Sequence, residues 1–271
     1  MKIQYQDADL VVFESALFRT TCSLIISDDH LFLVDPNWFP IELDSIESFI
    51  DQLDFRGEKN LLFTHSDYDH IIGYDKFKSY RTIASQNFVD NNDKQRVLDQ
   101  IIALDDDNYV KRDHEVIYPK ISQVISADKE EHKFGSDNYT FYQARGHNKD
   151  GLITYNESKG ILVVGDYLSN IEFPYLYDSF DHYKKTLDKL EQIISQSKIK
   201  TLVPGHGDIT HDEQEMMVRI SDSRTYIQNL EQCVKNDIDY DLDSLLSNYD
   251  FPQVMTKFHK KNIELLKTEI S

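Results

Sequence analysis

The sequence has few of the residues that stabilise small or fibrous proteins: of 271 residues, two are cysteine, six are proline and nine are glycine. Cys22 and Cys233 lie far apart, so they form neither a disulfide framework nor a thiolate metal cluster, and we expect both to be reduced. The low glycine and proline content excludes collagen-like and low-complexity chains. With 40% hydrophobic residues, a chain of this length buries enough surface to fold as a globular protein.

Basic residues are also scarce, since 29 Lys and Arg stand against 48 Asp and Glu, for a net charge of −19. Such a charge repels nucleic-acid backbones and anionic membrane surfaces, and we expect neither as a partner. No apolar run is long enough to span a membrane, and residues 1–10 lack the basic-then-apolar order of a signal peptide. We therefore predict a cytoplasmic protein.

Short apolar runs alternate with helical stripes along most of the chain. The runs predict strands at 10–13, 22–26, 31–34, 61–63, 82–85, 121–125, 139–143, 152–155, 161–164 and 201–203. Apolar residues three and four apart predict amphipathic helices within 43–53, 97–104 and 180–194. This order of strands and helices predicts an α/β protein.

The last 60 or so residues are predicted to be helical. Thr210 and Glu213 have the spacing of a capping box, and apolar stripes follow within 217–234 and 263–270. No linker rich in glycine, serine or proline separates this part from the rest. We predict an α/β domain at 1–210 and a helical extension at 211–271 that packs on it.

The most informative motif directly follows the predicted strand 61–63: it reads His65-Ser66-Asp67-Tyr68-Asp69-His70. Composition alone would produce His-x-Asp-x-Asp-His roughly 0.005 times in such a chain. In an extended segment, His65, Asp67 and Asp69 would point to one side, and a turn would bring His70 back to them. Imidazoles and carboxylates at this density suit a metal with nitrogen and oxygen ligands.

Three further positions follow the same logic, each placing a histidine or aspartate beside glycine after an apolar strand. They are Gly146-His147, Gly165-Asp166 and Gly205-His206-Gly207. Glycine lets the backbone turn tightly around a bound ion. Each of them alone is typical of an ordinary turn, but the four together predict a metal site.

This array resembles the signature of the metallo-β-lactamase superfamily, His-x-His-x-Asp-His followed by Gly-His, Gly-Asp and Gly-His-Gly, over about residues 10–208. The resemblance implies an αββα sandwich with a site for two divalent metal ions at one edge, here with a C-terminal helical extension. It also implies a ligand set: His65 and His147 on the first metal, Asp69, His70 and His206 on the second, and Asp166 bridging both.

Asp67 is the departure from this signature, because the superfamily usually has its second histidine there. We predict that Asp67 is a direct ligand of the first metal, and the alternative is an acceptor that only contacts the ligands. A charged oxygen makes the site harder, so manganese or iron competes better with zinc. A carboxylate at this place is similar to the flavodiiron branch, but no flavodoxin-like continuation follows Asp208.

Two cations a few ångströms apart lower the pKa of a bridging water and stabilise charge on a carbonyl or phosphoryl oxygen. We predict a metal-dependent hydrolase in which a metal-bound, bridging hydroxide attacks a small ester, thioester, lactone or phosphoester. Asp69 would orient the hydroxide or accept its proton. The alternatives are a di-iron or mono-iron redox protein, flavodiiron-like or dioxygenase-like, and a binding module with structural metals. The expected partner is a small-molecule substrate, and a homodimer stays open.

Five flanking residues carry weaker predictions. Arg145, Arg112 and Tyr109 are candidates for substrate binding, the last two in a polar stretch that could cover the site. Asp35 and Asp208 are candidate acceptors for the N–H groups of the ligand histidines.

Overall fold

The computed structural model describes residues 1–270, which form two β-sheets and eight α-helices. The strands are β1 (Lys2–Gln6), β2 (Leu10–Glu14), β3 (Thr21–Ile26), β4 (His30–Val34), β5 (Glu58–Leu62), β6 (Arg81–Ser85), β7 (Gln123–Ile125), β8 (Glu130–Phe134), β9 (Asp137–Gln143), β10 (Leu152–Asn156), β11 (Ile161–Val163) and β12 (Thr201–Val203). The helices are α1 (Pro40–Gln52), α2 (Tyr68–Ile71), α3 (Gln86–Val89), α4 (Lys94–Asp107), α5 (Phe180–Gln196), α6 (Glu213–Asn236), α7 (Leu242–Leu246) and α8 (Pro252–Ile270).

The first sheet has seven strands in sequence order, β1 to β7. Strands β1 to β4 are antiparallel, whereas β4 to β7 are parallel. The change occurs where α1 connects β4 to β5, because a parallel connection must return along the sheet through a crossover. The second sheet has the order β12-β11-β10-β9-β8, and only β11 and β12 are parallel.

Three apolar clusters hold these layers together. Residues of both sheets, such as Phe32 of β4 and Phe141 of β9, share a central cluster between the sheets. A second cluster joins the other face of the first sheet to α1 and α4, and a third joins the second sheet to α5, α6 and α8. The result is a four-layer αββα arrangement with a C-terminal helical region, so the predicted fold class is confirmed.

The helical region begins differently from the prediction. The predicted capping box of Thr210 and Glu213 is wrong, because Asp212 is the N-cap of α6 and its side chain accepts from the N–H of Gln214. Thr210 instead donates its hydroxyl to Glu215 at 2.6 Å. Helices α6 and α8 contact each other, and α6 also packs on α5. The boundary between residues 210 and 211 stays a prediction.

The sequence pattern missed two edge strands, β1 and β8. Both are largely exposed and polar, with sequences KIQYQ and EEHKF, so the apolar signal of a buried strand is weak in them. Among residues 1–270, none of the helices has the length and apolar character needed to cross a membrane.

Candidate metal centre

The ends of strands from both sheets deliver the candidate ligands to one edge of the sandwich. His65 follows β5 of the first sheet, and Asp166 and His206 follow β11 and β12 of the second. His147 lies in the loop between β9 and β10. Backbone hydrogen bonds join the sheets here, from Leu152 N to the carbonyl of Thr64 at 2.7 Å. The site is therefore built on rigid strand ends.

The motif that follows β5 is extended only as far as Asp67. Asp67 has extended backbone angles and is the N-cap of the single-turn helix α2, which carries Asp69 and His70. The expectation of an extended segment from His65 through Asp69 is therefore wrong. The helical turn, rather than strand alternation, brings Asp69 and His70 to the site.

Four of the predicted ligands form a first cluster: His65, Asp67, His147 and Asp166. The Nε2 atom of His147 lies 3.1 Å from Asp67 Oδ2 and 3.3 Å from Asp166 Oδ2. His65 Nε2 lies 3.8 Å and 3.6 Å from the same two oxygens. The structure thus places Asp67 within the first cluster, in direct contact with His147.

The remaining three predicted ligands, Asp69, His70 and His206, form a second cluster. Asp69 Oδ2 lies 3.5 Å from His70 Nε2 and 3.3 Å from His206 Nε2. Asp166 also reaches this cluster, because its Oδ1 lies 3.1 Å from His70 Nε2 and its Oδ2 lies 3.4 Å from His206 Nε2. Asp166 thus contacts histidines of both clusters, as expected of a bridging carboxylate.

These donors fit divalent cations. The Nε2 atoms of His65 and His70 and the Oδ1 atom of Asp166 are buried and have no hydrogen-bond partner among residues 1–270. Ligand atoms 2.0–2.2 Å from a tetrahedral ion lie about 3.4 Å from one another. The distances in both clusters, 3.1–3.8 Å, agree with that spacing. Ions at these two positions would satisfy the buried orphan atoms.

The nitrogens of His65 and His70 that face away from the clusters are held by Asp35 and Thr64. Asp35 Oδ2 accepts from His70 Nδ1 at 2.9 Å and from the Thr64 hydroxyl at 2.5 Å. Because Thr64 donates its only hydroxyl proton to Asp35, it accepts from His65 Nδ1 at 2.9 Å. Asp35 therefore occupies the place predicted for it. These hydrogen bonds explain why Asp35, His65 and His70 also lie close together.

Backbone carbonyls hold the other two histidines. His147 Nδ1 donates to the carbonyl oxygen of Tyr175 at 2.7 Å, and His206 Nδ1 donates to that of Phe18 at 3.1 Å. A carbonyl oxygen only accepts, so each Nδ1 carries the proton. All four imidazoles consequently direct Nε2 to the clusters, which is the orientation that metal binding requires.

The pKa values reflect the dense packing of opposite charges. Burial alone would raise the pKa of Asp67, but the hydrogen bond and positive charge of His147 and the charge of His65 lower it to about 2. Burial would lower the pKa of His147, but Asp166 and Asp67 raise it to about 9. Burial would also raise the pKa of Asp166, but the four histidines outweigh it and hold that pKa well below the usual range. Such perturbation in a cleft is typical of a functional site.

The clusters open into a cavity of about 180 Å³. Asp67, Asp69, His147, Asp166 and His206 form its floor, and aromatic side chains form much of its wall. Part of the wall belongs to the C-terminal helices, which the sequence analysis did not assign to the site. A second cavity of about 400 Å³ adjoins the first and shares Asp67 with it.

The prediction for Asp208 is wrong, and Arg112 and Tyr109 do not line the cavities at the site. Asp208 pairs with Arg19 and Asn170, and the N–H of His206 goes to a backbone carbonyl instead. Arg112 lines neither cavity, because its guanidinium is bound by Asp105 at 2.7 Å and by the carbonyl of Trp38. Tyr109 also lies outside both cavities, with its side chain 94% exposed to solvent.

Arg145 lies near the site but is already paired. It lines the second cavity, and its guanidinium forms two hydrogen bonds with Asp178 at 2.9 and 3.1 Å. A role in substrate binding stays a prediction.

Sequence reasoning missed two residues at this site. Glu172 lines the first cavity, and burial raises its pKa to about 7. Tyr175 contributes a backbone carbonyl to His147. The only sequence signal for either was their position shortly after Asp166, in a stretch rich in aromatic residues.

Solved structures with low sequence identity share this fold. A metallo-beta-lactamase family protein from Thermus thermophilus matches with a TM-score of 0.69 at 15% identity, over 96% of this chain and 93% of that one. The B3 metallo-beta-lactamase BLEG-1 matches with a TM-score of 0.60 at 15% identity, over 77% of this chain and 96% of that one. A double mutant of the sec-alkyl sulfatase PisA1 matches with a TM-score of 0.63 at 14% identity, over 91% of this chain and 45% of that one.

The sequence itself also carries the family relationship. No curated protein matches it significantly. The family model described as metallo-beta-lactamase superfamily, however, matches residues 16–206. That range includes all seven clustered residues, from His65 to His206. The chain belongs to the metallo-beta-lactamase superfamily.

Proposed function

We propose that this protein is a hydrolase with two divalent metal ions that cleaves a small ester, thioester or lactone. Family membership and the ligand clusters support a metal-dependent hydrolase in general. The observation that carries the two-ion proposal is the position of Asp166, whose carboxylate oxygens contact histidines of both clusters. Both clusters lie on the floor of one small cavity.

The chemistry supplied by divalent ions at these positions would be Lewis acidity toward a carbonyl oxygen and a lower pKa for water. The protein holds the four imidazoles rigidly through their Nδ1–H groups. Asp69 faces the cavity beside His206, where its carboxylate is placed to accept a proton from an attacking water.

The lining of the first cavity favours a carboxylic ester, thioester or lactone over a phosphoester. Among residues 1–270, those that line it include neither lysine nor arginine. The nearby basic residues Arg96, Arg145 and Lys149 line the second cavity instead. An anionic phosphoryl group in this cavity would therefore meet the carboxylate of Glu172, and no lysine or arginine of the described lining would bind it.

The test is a substrate panel with the protein loaded separately with zinc, manganese and iron. We expect hydrolysis of at least one ester, thioester or lactone, and little hydrolysis of phosphodiesters. Asp69→Asn is expected to lower kcat by roughly 10²–10⁴ if the carboxylate transfers the proton. The control Asp208→Asn changes a carboxylate paired with Arg19 outside the clusters and is expected to retain activity. Turnover of phosphodiesters alone would contradict the proposal.

Asp67 supports a second candidate, a non-haem iron redox protein, since the superfamily also has non-hydrolytic members. With Asp67, the first cluster has two imidazoles and two carboxylates. This ligand set suits iron or manganese better than three imidazoles and one carboxylate would. Iron content of protein purified without added metal, together with oxygen consumption in the presence of a thiol or another reductant, tests this candidate. Iron without redox turnover, combined with ester hydrolysis, would favour the hydrolase.

A further inference from the structure

One wall of the first cavity is a group of aromatic rings contributed by three separate segments. Tyr175 stacks on Phe258 of α8, with ring centroids 4.1 Å apart and an interplanar angle of 9°. Tyr177 lies against Tyr175, with centroids 4.4 Å apart, and also against the ring of His147 at 5.3 Å. Tyr68 of α2 and Phe173 also line the cavity. These five side chains, Tyr68, Phe173, Tyr175, Tyr177 and Phe258, are called the aromatic wall below.

Glu172 contributes a carboxyl group to this cavity. Its carboxylate forms no hydrogen bond or salt bridge with any residue in the described range 1–270. The groups that act on it electrostatically include His206, Asp166, Asp69 and His147, so it lies close to the metal centre. It belongs to neither ligand cluster, however, and is left to interact with whatever occupies the cavity.

Two features of this cavity, its aromatic rings and the carboxyl group of Glu172, favour a cationic ligand group. Aromatic faces attract cations through their quadrupoles, and a quaternary ammonium is the group that aromatic cages recognise best. A carboxylate without a partner adds direct attraction to a cationic group. The volume, about 180 Å³, is more than ten times the roughly 15 Å³ needed for one water, so a small ammonium-bearing group fits.

We infer that the substrate carries an ammonium group, which the aromatic wall and Glu172 bind beside the metal centre. This inference rests on the proposed function for the bond that is cleaved, but it concerns the part of the substrate that does not react. Glu172 would then be a specificity-determining residue.

Two probes of nearly the same shape isolate the charge: choline and its neutral analogue 3,3-dimethylbutan-1-ol. Binding of each is measured by calorimetry or ligand-observed NMR at fixed ionic strength, without turnover. We expect choline to bind the native protein about 10-fold more tightly than the neutral alcohol, or better. Glu172→Gln should lower the affinity for choline about 10-fold and leave that for the alcohol within about twofold.

Glu264→Gln is the matched control for charge. Glu264 lies on α8, is exposed, and pairs with Lys261 outside the cavity. This variant removes the same charge and should bind choline like the native protein. Phe258→Leu, which replaces one ring of the aromatic wall, should lower the affinity for choline more than the affinity for the alcohol. Equal affinity for the two probes, or equal losses in the Glu172→Gln and Glu264→Gln proteins, would overturn the inference.

Hydrolysis of acetylcholine and 3,3-dimethylbutyl acetate separates this inference from the proposed function. If neither these two esters nor any ester, thioester or lactone of the panel is hydrolysed while choline binds through Glu172, the proposed hydrolase fails and the ammonium site stands. If both esters are hydrolysed with equal KM, and Glu172→Gln changes neither, the hydrolase stands and the ammonium site fails.

Discussion

Asn262, in helix α8, donates its side-chain amide to the carbonyl oxygen of Pro174 at 2.7 Å. Its Oδ1 accepts from the backbone N–H of Leu176 at 3.0 Å, and the residue is fully buried. Between these two anchor points lies Tyr175, whose carbonyl holds the Nδ1–H of His147. The C-terminal helix therefore fixes the segment that orients a predicted metal ligand, although it contributes no ligand of its own.

Replacing Asn262 should weaken metal binding at the first cluster. In Asn262→Leu, the N–H of Leu176 loses its buried acceptor, so the carbonyl that orients His147 is held less firmly. Loss of a group that directly orients a ligand typically lowers metal affinity by roughly 10- to 100-fold. We expect about 10-fold here, because Asn262 acts on His147 only through Tyr175. Competition with a chromogenic chelator measures the metal affinity.

Tyr226→Phe is the control for a general loss of stability. The Tyr226 hydroxyl also contacts Asn262 and His259, but it does not contact the 174–176 segment. Both variants should lower the free energy of unfolding by about 1–3 kcal/mol, since each leaves buried polar groups without partners. Only the Asn262 variant should lose metal affinity. Equal losses of metal affinity in both variants would show that Asn262 only stabilises the fold.

Asp35→Asn should lower metal affinity by roughly 10- to 100-fold, because Asp35 accepts from both His70 and Thr64. Asp35 has a left-handed backbone conformation, with φ of 48°, which asparagine also tolerates, so the substitution tests the charge rather than the backbone. Asp208→Asn is the matched comparison and should keep the native affinity. Titration with zinc by calorimetry distinguishes them, and an unchanged affinity in the Asp35→Asn protein would refute a supporting role.

Gly205→Ala should empty the metal centre by displacing Asp166. A Cβ atom at Gly205 would lie 2.2 Å from Asp166 Oδ1, so the carboxylate must move. Gly57→Ala is the matched control. Its new Cβ would lie 2.2 Å from the carbonyl oxygen of Asp29, far from the site. We expect lower thermal stability in both proteins but loss of bound metal only in the first. Elemental analysis showing full occupancy in the Gly205→Ala protein would contradict the placement of Asp166.

Asp67→His should shift metal selectivity toward zinc, because a neutral nitrogen replaces a charged oxygen beside His147. The measurement is the ratio of zinc to iron plus manganese in protein purified from one defined medium. The ratio should rise relative to the native protein. An unchanged ratio would mean that Asp67 contacts the ligands without binding a metal.

The sequence was sufficient to predict most of the strands and the seven clustered residues, for a physical reason. The strands β5, β9, β11 and β12 end at the edge of the sandwich that carries the clusters, so a histidine or aspartate shortly after one of them, such as His65 or Asp166, lies at the site. The alternation expected through Asp69 failed because a helical turn starts after Asp67. The local sequence pattern did not distinguish an extended segment from a helical turn at this position.

The parts that could not be predicted depend on contacts between distant segments. The role of Tyr175 resides in a backbone carbonyl, which has no residue-type signature. Asn262 acts across 86 residues of sequence on Leu176. Asp208 was expected to support a histidine, but Arg19, 189 residues earlier in the sequence, binds it instead. Such pairings are decided by tertiary packing.

Anomalous diffraction from crystals of metal-loaded protein tests whether two divalent ions bind on either side of Asp166. We expect two anomalous peaks, one among His65, Asp67 and His147 and the other among Asp69, His70 and His206, with Asp166 contacting both. In Asp166→Ala, at least one peak should disappear. A single peak in the native protein at saturating metal, or two full peaks in the variant, would contradict this arrangement.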